Sequence, residues 1–396
     1  MNAMPDIRWR HIGNVLHLLR QDGPLTRADV IDGTGLSRST VNQHLAALAE
    51  AGLIRESTPA ESTGGRPSSR YAFQPRRAAV LTVDVGATGV ELAVCDLDGA
   101  ILSRSAIRID VWRGPDAVLS VIWDAALPLL EAPHPELWAV SIGVPGPVEV
   151  AARRVMQPPI MTGWDGFDIV GWFEARLPGL PCIVENDVNA RAIAEARLRG
   201  LDNLIALKLG TGLGAGLFFN GAIVRGARGN AGDIGHTRAA DADAAGVICR
   251  CGNEGCVEAL AGGWALQRDL RARGREAVSS HDVVGLVQAG DREALRLVRA
   301  AGRRIGDAVA DLVGILNPSV VVLSGQLADC GPVLLSGITE KVHAQNGPIS
   351  TGELSIEVSE LGDLAGVTGL AYSAVDHLLS PAGLPAVLSR TTYAAV

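Results

Sequence analysis

The chain has 396 residues, of which 47% are hydrophobic, and its formal net charge is −8. This length exceeds what one hydrophobic core usually organises, so a small module joined to a two-lobed body is expected. No apolar run reaches the ~18 residues needed to cross a bilayer, and the polar N-terminus lacks a signal-peptide core. These features argue against a membrane or secreted protein, and we expect a cytoplasmic one.

The charge is unevenly distributed along the chain. Residues 1–77 contain ten arginines against seven acidic residues, a balance of +3, and the remainder therefore carries −11. Because nucleic acid attracts basic surfaces and repels acidic ones, any DNA contact is expected in the N-terminal segment.

Residues 1–75 have the pattern of a winged helix-turn-helix domain. Apolar residues at helical spacing predict a first helix over 5–20, and Thr26 with Asp29 forms a capping box that opens a second. Ser37 can cap a third helix after a glycine turn. The expected buried stripe of that helix is Val41, Leu45 and Leu48.

The DNA-reading groups are expected on the third helix and on a wing. The polar residues of this helix that can contact base edges and phosphates of double-stranded DNA are Arg38, Ser39, Asn42 and Gln43. Strand-like runs at 53–55 and 70–73 enclose a loop in which Arg66 can reach a narrow minor groove. The alternative is that these hairpins form a dimerisation or docking module.

From residue 78 onward, strands alternate with helices, which predicts an α/β body. The expected strands are 79–84, 90–95, 100–107, 137–143, 181–185, 203–209, 213–219 and 319–323. The expected helices are 115–131, 167–177, 292–316 and 364–379. Two strand-rich halves predict two lobes with a cleft between them.

Three of the six cysteines, Cys249, Cys251 and Cys256, fall within eight residues. His236 lies thirteen residues before the first of them and offers a fourth ligand. A closed shell of three thiolates and one imidazole suits a structural zinc ion. The alternative is a group of buried, reduced thiols without metal.

Polar groups follow the apolar strand that ends at Val184. Asn186 and Asp187 stand where α/β clefts bind ligands, and they suit sugar hydroxyls. Asp187 can also accept the proton of an attacking hydroxyl in phosphoryl transfer. Glu258, two residues beyond Cys256, is expected to face the same cleft. Capping of a helix over 188–198 is the alternative role for the first two residues.

A glycine-rich run from Gly210 to Gly216 is followed by a strand-like segment rather than a helix. This order argues against a dinucleotide-binding fingerprint. A hairpin whose backbone N–H groups face a phosphate fits better, and a purely structural hairpin is the alternative.

Several motifs within residues 80–375 resemble the ROK family of repressors and sugar kinases, a branch of the actin-like sugar-kinase superfamily. They are Asp84-Val-Gly86-Ala-Thr88, Gly143-Val-Pro145-Gly146, Glu185-Asn186-Asp187, the glycine run 210–216, Asp233-Ile-Gly235-His236, and Cys249, Cys251, Cys256 and Glu258. The resemblance implies a two-lobed α/β fold, of the actin-like or ribonuclease H-like sugar-kinase type, after the winged helix-turn-helix domain. It implies a DNA-binding domain at 1–75, a first lobe at 78–190 completed by 364–379, and a second lobe with the zinc knuckle at 191–363.

The resemblance also implies the roles of individual residues. Sugar contacts would come from Asn186, Asp187, Asp233, His236 and Glu258. Zinc would be bound by His236, Cys249, Cys251 and Cys256. Asp187 is the catalytic position of kinase members. A fused winged helix is similar to the repressor branch, for which a homodimer or homotetramer is expected.

Most departures from the family pattern fall at the positions where kinase members bind the nucleotide. Ala87 and Gly89 stand where kinase members have glycine and usually a polar residue, and Gln326 replaces a glycine, so ATP binding is not expected. On the sugar side, Asp233 replaces a glutamate and is one methylene shorter.

The sequence therefore predicts a sugar-responsive, DNA-binding transcriptional regulator of carbohydrate-metabolism genes, of the repressor type, without enzymatic activity. Its effector would be a small sugar or sugar phosphate, and its metal a structural zinc. Two alternatives stay open: an ATP-dependent sugar kinase with a fused DNA-binding domain, and a ROK-type regulator that does not respond to sugar.

Overall fold

The N-terminal part folds into three helices and a small sheet. The computed structural model describes residues 7–57, 69–149, 152–240 and 245–393. The first elements are α1 Ile7–Gln21, β1 Leu25–Thr26, α2 Arg27–Thr34, α3 Arg38–Glu50, β2 Ile54–Ser57 and β3 Arg70–Phe73. Strand β3 lies between β1 and β2 and is antiparallel to both, which is the arrangement of a winged helix.

Local signals set the boundaries of these helices. The Thr26 side chain accepts a hydrogen bond from Asp29 N, and the Asp29 side chain accepts one from Thr26 N, which confirms the capping box. Gly35 ends α2 in the left-handed conformation, and Ser37 caps α3. The expected stripe of α3 is buried, as is His44 between its members.

The first lobe is built on a five-stranded mixed sheet. Its elements are β4 Ala79–Val85, β5 Val90–Asp96, β6 Ile101–Ile107, α4 Pro115–Glu131, β7 Leu137–Val144, β8 Val148–Glu149, β9 Arg154–Val155, α5 Ile169–Glu174 and β10 Cys182–Asn186. The strand order is β10-β7-β4-β5-β6, and β8 pairs with β9 separately. Helix α5 is shorter than the 167–177 expected. Asp168 caps its start, and Pro178 disfavours helical backbone at the preceding residue.

The second lobe repeats a five-stranded sheet and adds more helices. Its elements are α6 Asp187–Arg199, β11 Leu204–Leu209, β12 Leu213–Phe219, β13 Ala222–Ile223, α7 Val257–Ala261, α8 Gly263–Arg271, α9 Ser280–Gln288, α10 Arg292–Leu316, β14 Val320–Ser324, α11 Pro332–Gln345, α12 Pro348–Thr351 and β15 Ser355–Val358. The strand order is β13-β12-β11-β14-β15. Within the described ranges, no helix is long and apolar enough to span a bilayer.

Two helices join the lobes. Helix α6, which contains the expected lobe boundary at residue 190, is buried from Asp187 to Ala196. Helix α13 Leu364–Leu378 packs on α6 and on β4 and β7 of the first sheet. A Cβ atom at Gly369 would overlap the carbonyl oxygen of Ala190, so glycine is required for this close approach. The last helix, α14 Leu384–Tyr393, packs on α1 and α3.

The winged helix and the first lobe share one hydrophobic core. Ile12, Leu16 and Leu45 of the winged helix belong to the same buried cluster as Trp138 of the first sheet and Leu384 of α14. Burial of large apolar side chains stabilises such a contact by roughly 1.5–3 kcal/mol each. The winged helix is therefore docked on the body.

Candidate ligand cleft, metal cluster and DNA-recognition helix

A cleft of about 1690 Å³ contains the candidate ligand residues. The structure brings all five to its lining: Asn186, Asp187, Asp233, His236 and Glu258. The carboxyl ends of β4, β10 and β11 face this cleft, together with the hairpin between β11 and β12. This is where ligands bind in α/β folds of this kind.

Asn186 caps α6 and also lines the cleft. Its Oδ1 accepts hydrogen bonds from Val188 N and Asn189 N, and its Nδ2 donates to the Gly146 carbonyl at 3.0 Å. Capping and ligand binding are therefore compatible, because the amide retains one N–H.

Asp187 is buried at the first position of α6 and forms an ion pair with Lys208 of β11. Burial raises the pKa of the Asp187 carboxyl above its ordinary value, and the Lys208 ammonium opposes this rise. Sequence reasoning did not identify Lys208. Its signal was a single charge within the apolar strand Leu204–Leu209.

A second ion pair lies on the wall of the cleft next to the loop 86–89. Arg191 Nη2 lies 2.9 Å from Asp84 Oδ2, and the two side chains are only 6% and 4% exposed. Asp84 Oδ1 and Arg191 Nε have no hydrogen-bond partner among the described residues. Arg191 was also missed, although it follows Asp187 by four residues and so shares its face of the helix.

Glu258 joins the glycine hairpin to α8. Its Oε2 accepts a hydrogen bond from Leu213 N at 3.0 Å, and its Oε1 accepts one from Trp264 Nε1 at 3.1 Å. A Cβ atom at Gly212 would lie 2.6 Å from Oε2, so the hairpin needs glycine there. The carboxylate keeps lone pairs for a ligand hydroxyl.

Four ligand atoms of the expected metal shell lie within 4.8 Å of one another. They come from His236, Cys249, Cys251 and Cys256. His236 Nδ1 lies 3.6 Å from Cys249 Sγ, and Cys251 Sγ lies 3.7 Å from Cys256 Sγ. These separations and this donor set fit a tetrahedral metal ion. Burial raises the pKa of the Cys256 thiol to about 12 in the absence of metal.

The glycine run 210–216 forms the β11–β12 hairpin, as expected, and not a helix-opening fingerprint. On the opposite wall, Gly86 N donates to Gly89 O at 2.7 Å, and Ala87 O accepts from Val111 N at 3.0 Å. Gly210 N donates to Gly212 O at 3.0 Å. One backbone N–H group in each loop, that of Gly86 and that of Gly210, is thus bonded within its own loop.

The candidate DNA-reading residues of α3 form one exposed face. Arg38, Ser39, Asn42 and Gln43 are all exposed, while the opposite face packs in the core shared with the first lobe. This arrangement leaves the start of the helix accessible to a major groove. Arg66 lies outside the described residues.

The fold and the cleft define a class of protein: a winged helix docked on a two-lobed, ligand-binding body of the sugar-kinase type. Residues 80–377 match the ROK family, and residues 11–55 match a winged helix-turn-helix DNA-binding family. The chain belongs to the ROK family.

Similar proteins include regulators and kinases. The xylose repressor of Bacillus subtilis (strain 168) is 26% identical over 376 residues, covering 92% of this chain and 94% of the relative. A crystal structure of a ROK family transcriptional regulator, a homologue of the Escherichia coli MLC protein, has a TM-score of 0.82 at 25% identity and covers 97% and 99% of the two chains. A ROK family glucokinase from Streptomyces griseus, in complex with glucose and AMPPNP, has a TM-score of 0.65 at 29% identity and covers 74% and 98%.

Proposed function

We propose that this chain is a sugar-responsive, DNA-binding repressor of carbohydrate-metabolism genes that acts in the cytoplasm. The observation that carries the proposal is the docking of an exposed recognition helix on a body whose cleft presents sugar-binding groups. Similarity to a xylose repressor over most of both chains supports it. Binding of a small sugar or sugar phosphate would close the lobes and change the placement of the winged helices on the operator.

The sugar would be bound by the side chains of the cleft. Asn186 supplies an amide, and Asp187, Asp233 and Glu258 supply acceptors for hydroxyl protons. His236 turns Nδ1 toward the cysteines, which leaves Nε2 for the ligand. A site built to hydrogen-bond hydroxyl groups rejects ligands that lack them, because its buried polar groups then stay unpaired.

The metal of the cluster would be zinc in a structural role. Three thiolates and one imidazole complete a tetrahedral shell and leave no open position for catalysis. Cys256 is the residue before α7, and Glu258 lies in the first turn of that helix. The ion would therefore fix the position of Glu258 in the cleft.

The DNA partner would be a double-stranded operator read by paired winged helices in a homodimer or homotetramer. Arg38, Ser39, Asn42 and Gln43 would contact base edges and phosphates, and Arg66 would contact the minor groove. Helix-turn-helix proteins commonly read two half-sites as dimers, which supports the oligomeric expectation.

A sugar kinase is the second candidate, and the position of Asp187 in the cleft favours it. Against it, Gly86 N and Gly210 N are bonded within their own loops, and Ala87 adds a methyl group on the same wall. ATP is therefore not expected to bind, and we assign no enzymatic activity to the chain.

Mapping of genomic binding sites, followed by operator titration, tests the proposed function. The protein should bind operators near genes of sugar uptake or breakdown, and one sugar of a panel should release it. If binding sites are found but no sugar or sugar phosphate alters operator affinity, the chain is a regulator that does not sense sugar.

A further inference from the structure

We infer that the effector is an uncharged, unphosphorylated sugar, and that Lys208 and Arg191 are internal counter-ions of its pocket. The inference rests on the proposed function, because it names the chemical class of the effector for the same cleft. Neither cation belongs to the residues that the family resemblance assigns to sugar or metal.

Both internal cations of the cleft are already neutralised. Arg191 pairs with Asp84 at 2.9 Å and donates to the Gly362 carbonyl at 3.2 Å. Lys208 pairs with Asp187, and its side chain is 19% exposed. A ligand anion would have to break one of these pairs and leave a buried carboxylate without its partner, which is costly in a protein interior.

The remaining charge of the lining is unfavourable for a phosphate. The cleft is lined by six arginine and lysine side chains and by eight carboxylates, so its formal charge is −2. The four cations that remain after the internal pairs are all exposed: Arg108, Arg113, Arg228 and Arg250. Solvent screens such charges strongly.

Three backbone donors of the cleft are engaged within the protein. Gly86 N and Gly210 N are bonded to carbonyl groups of their own loops, and Leu213 N is bonded to the Glu258 carboxylate. A phosphate dianion near Asp187, Asp233 and Glu258 would be repelled by their carboxylates. Hydroxyl groups of a neutral sugar, in contrast, can donate to these same carboxylates.

Lys208 is a positioning residue for Asp187. The groups that face Asp187 are Lys208 of β11, Asp84 of β4 and Arg191 of α6. Burial and Asp84 raise the pKa of the Asp187 carboxyl, whereas Lys208 and Arg191 lower it. Lys208 therefore keeps Asp187 ionised, so that its oxygens remain acceptors for a sugar hydroxyl.

Calorimetry with the full-length protein tests the class of effector. The probes are aldohexoses, aldopentoses and amino sugars, each measured beside its own phosphomonoester. We expect one neutral sugar to bind, its ester to bind at least about 100-fold more weakly, and the affinity of the neutral sugar to be independent of salt. An ester that binds as tightly as its parent sugar would overturn the inference and leave the proposed function intact. Binding of neither class would overturn both.

The two lysines of the sequence provide a matched test of the role of Lys208. Lys208→Met should weaken sugar binding at least about tenfold at neutral pH, and affinity should recover as the pH rises and Asp187 ionises. As the pH is lowered, Lys208→Met should begin to lose sugar affinity at a higher pH than the wild type does. Lys341→Met removes the half-buried pair with Asp307 outside the cleft lining and should leave sugar affinity unchanged, and Lys208→Arg should restore part of the affinity. Unchanged affinity of Lys208→Met at every pH would refute the role.

Discussion

At the scale of single residues, Asp187 is the group that a sugar kinase would need as its catalytic base. We predict that the protein, given ATP, magnesium and the sugar that it binds, turns over far below the ~1–100 s⁻¹ of ordinary kinases. The reason lies in the loop 86–89, which corresponds to the phosphate loop of kinase members. Gly86 N is bonded to the Gly89 carbonyl there, and Ala87 adds a methyl group. A coupled assay for ADP measures this. Turnover within the kinase range that Asp187→Asn abolishes would contradict the prediction.

The metal cluster gives a second prediction at this scale. Cys251→Ser should lower the zinc content from about one ion per chain to near zero, because three ligands bind zinc much less tightly than a closed shell. Sugar affinity should fall as well, since the ion would fix Cys256 at the start of α7, the helix that carries Glu258. Elemental analysis and calorimetry measure the two effects. Cys330→Ser, at another buried cysteine outside the cluster, should keep its zinc. A metal-free variant with full stability and sugar response would exclude the structural role.

Arg38 gives a third residue-scale prediction. If its side chain contacts a base edge, Arg38→Ala should cost roughly 1–3 kcal/mol on the operator and much less on random DNA. Titrations at one fixed salt concentration are required, because phosphate contacts make affinity depend on salt. Arg296→Ala removes an exposed arginine of α10 and serves as the control. Equal losses on both DNAs would reassign Arg38 to phosphate binding.

Residues close in sequence were the ones that sequence reasoning brought together. Cys249, Cys251 and Cys256 lie within eight residues, and the structure places their sulfur atoms in one cluster with His236. The ion pairs of Arg191 and Lys208 could not be predicted in the same way. Asp84 lies 107 positions before Arg191, and the packing of α13 on both β4 and α6 brings them together.

At the scale of elements, α6 links the cleft to the DNA-binding module. The helix begins at the Asn186 cap, and its 13 residues span roughly 20 Å. Near its end, Arg197 Nη2 lies 2.6 Å from Asp376 Oδ2 of α13, and Arg20 Nη1 of α1 lies 3.5 Å from Asp376 Oδ1. The Asp376 carboxylate thus joins α6, which begins at the candidate ligand residues, to the first helix of the winged helix.

This junction gives an element-scale prediction about signal transmission. Asp376→Asn should leave sugar affinity nearly unchanged but reduce the effect of the sugar on operator affinity by about 0.5–2 kcal/mol, because α6 and α1 lose their common partner. Operator titrations with and without saturating sugar give the coupling free energy. Asp307→Asn, at a half-buried ion pair outside the junction, is the matched control. Unchanged coupling in Asp376→Asn would show that the signal takes another route.

Several long elements with a clear apolar period were predictable, but not all of the helices were. Helices 115–131 and 292–316 and strand 213–219 have the expected bounds, because their apolar pattern continues over many residues and ends at clear turns. Helices α7 to α9 and the 14-residue α11 were among those not expected. All five side chains of α7 are buried, so this helix has no polar face that periodicity could mark.

At the scale of the whole molecule, the composition change near residue 78 predicts a boundary, yet the packing continues across it. Leu53 and Tyr71 on one side and Val80 and Ala93 on the other belong to one buried cluster. Sequence patterns report which residues are apolar but not which partners cover them, so the docking of the winged helix was beyond sequence reasoning. A docked module can report closure of the cleft through rigid contacts.

The last helix gives a prediction about this docking. Leu384 of α14 is fully buried, and a Cβ atom placed on Gly13 of α1 would lie 3.6 Å from its Cδ1. Leu384→Ala should lower the free energy of unfolding by about 2–5 kcal/mol, because it removes apolar contacts and leaves a cavity in the shared core. Operator affinity should also fall. A winged helix that is less firmly packed on the body would no longer hold paired recognition helices at a fixed spacing. Sugar affinity should persist, because Leu384 is not part of the cleft lining.

Urea denaturation, operator titration and calorimetry on one preparation separate the three effects of Leu384→Ala. Leu127→Ala, on the outer face of α4, removes the same atoms from a partly exposed position and should have little effect on any of them. If Leu384→Ala reduced sugar affinity as strongly as operator affinity, α14 would support the body as a whole and the docking role would be wrong.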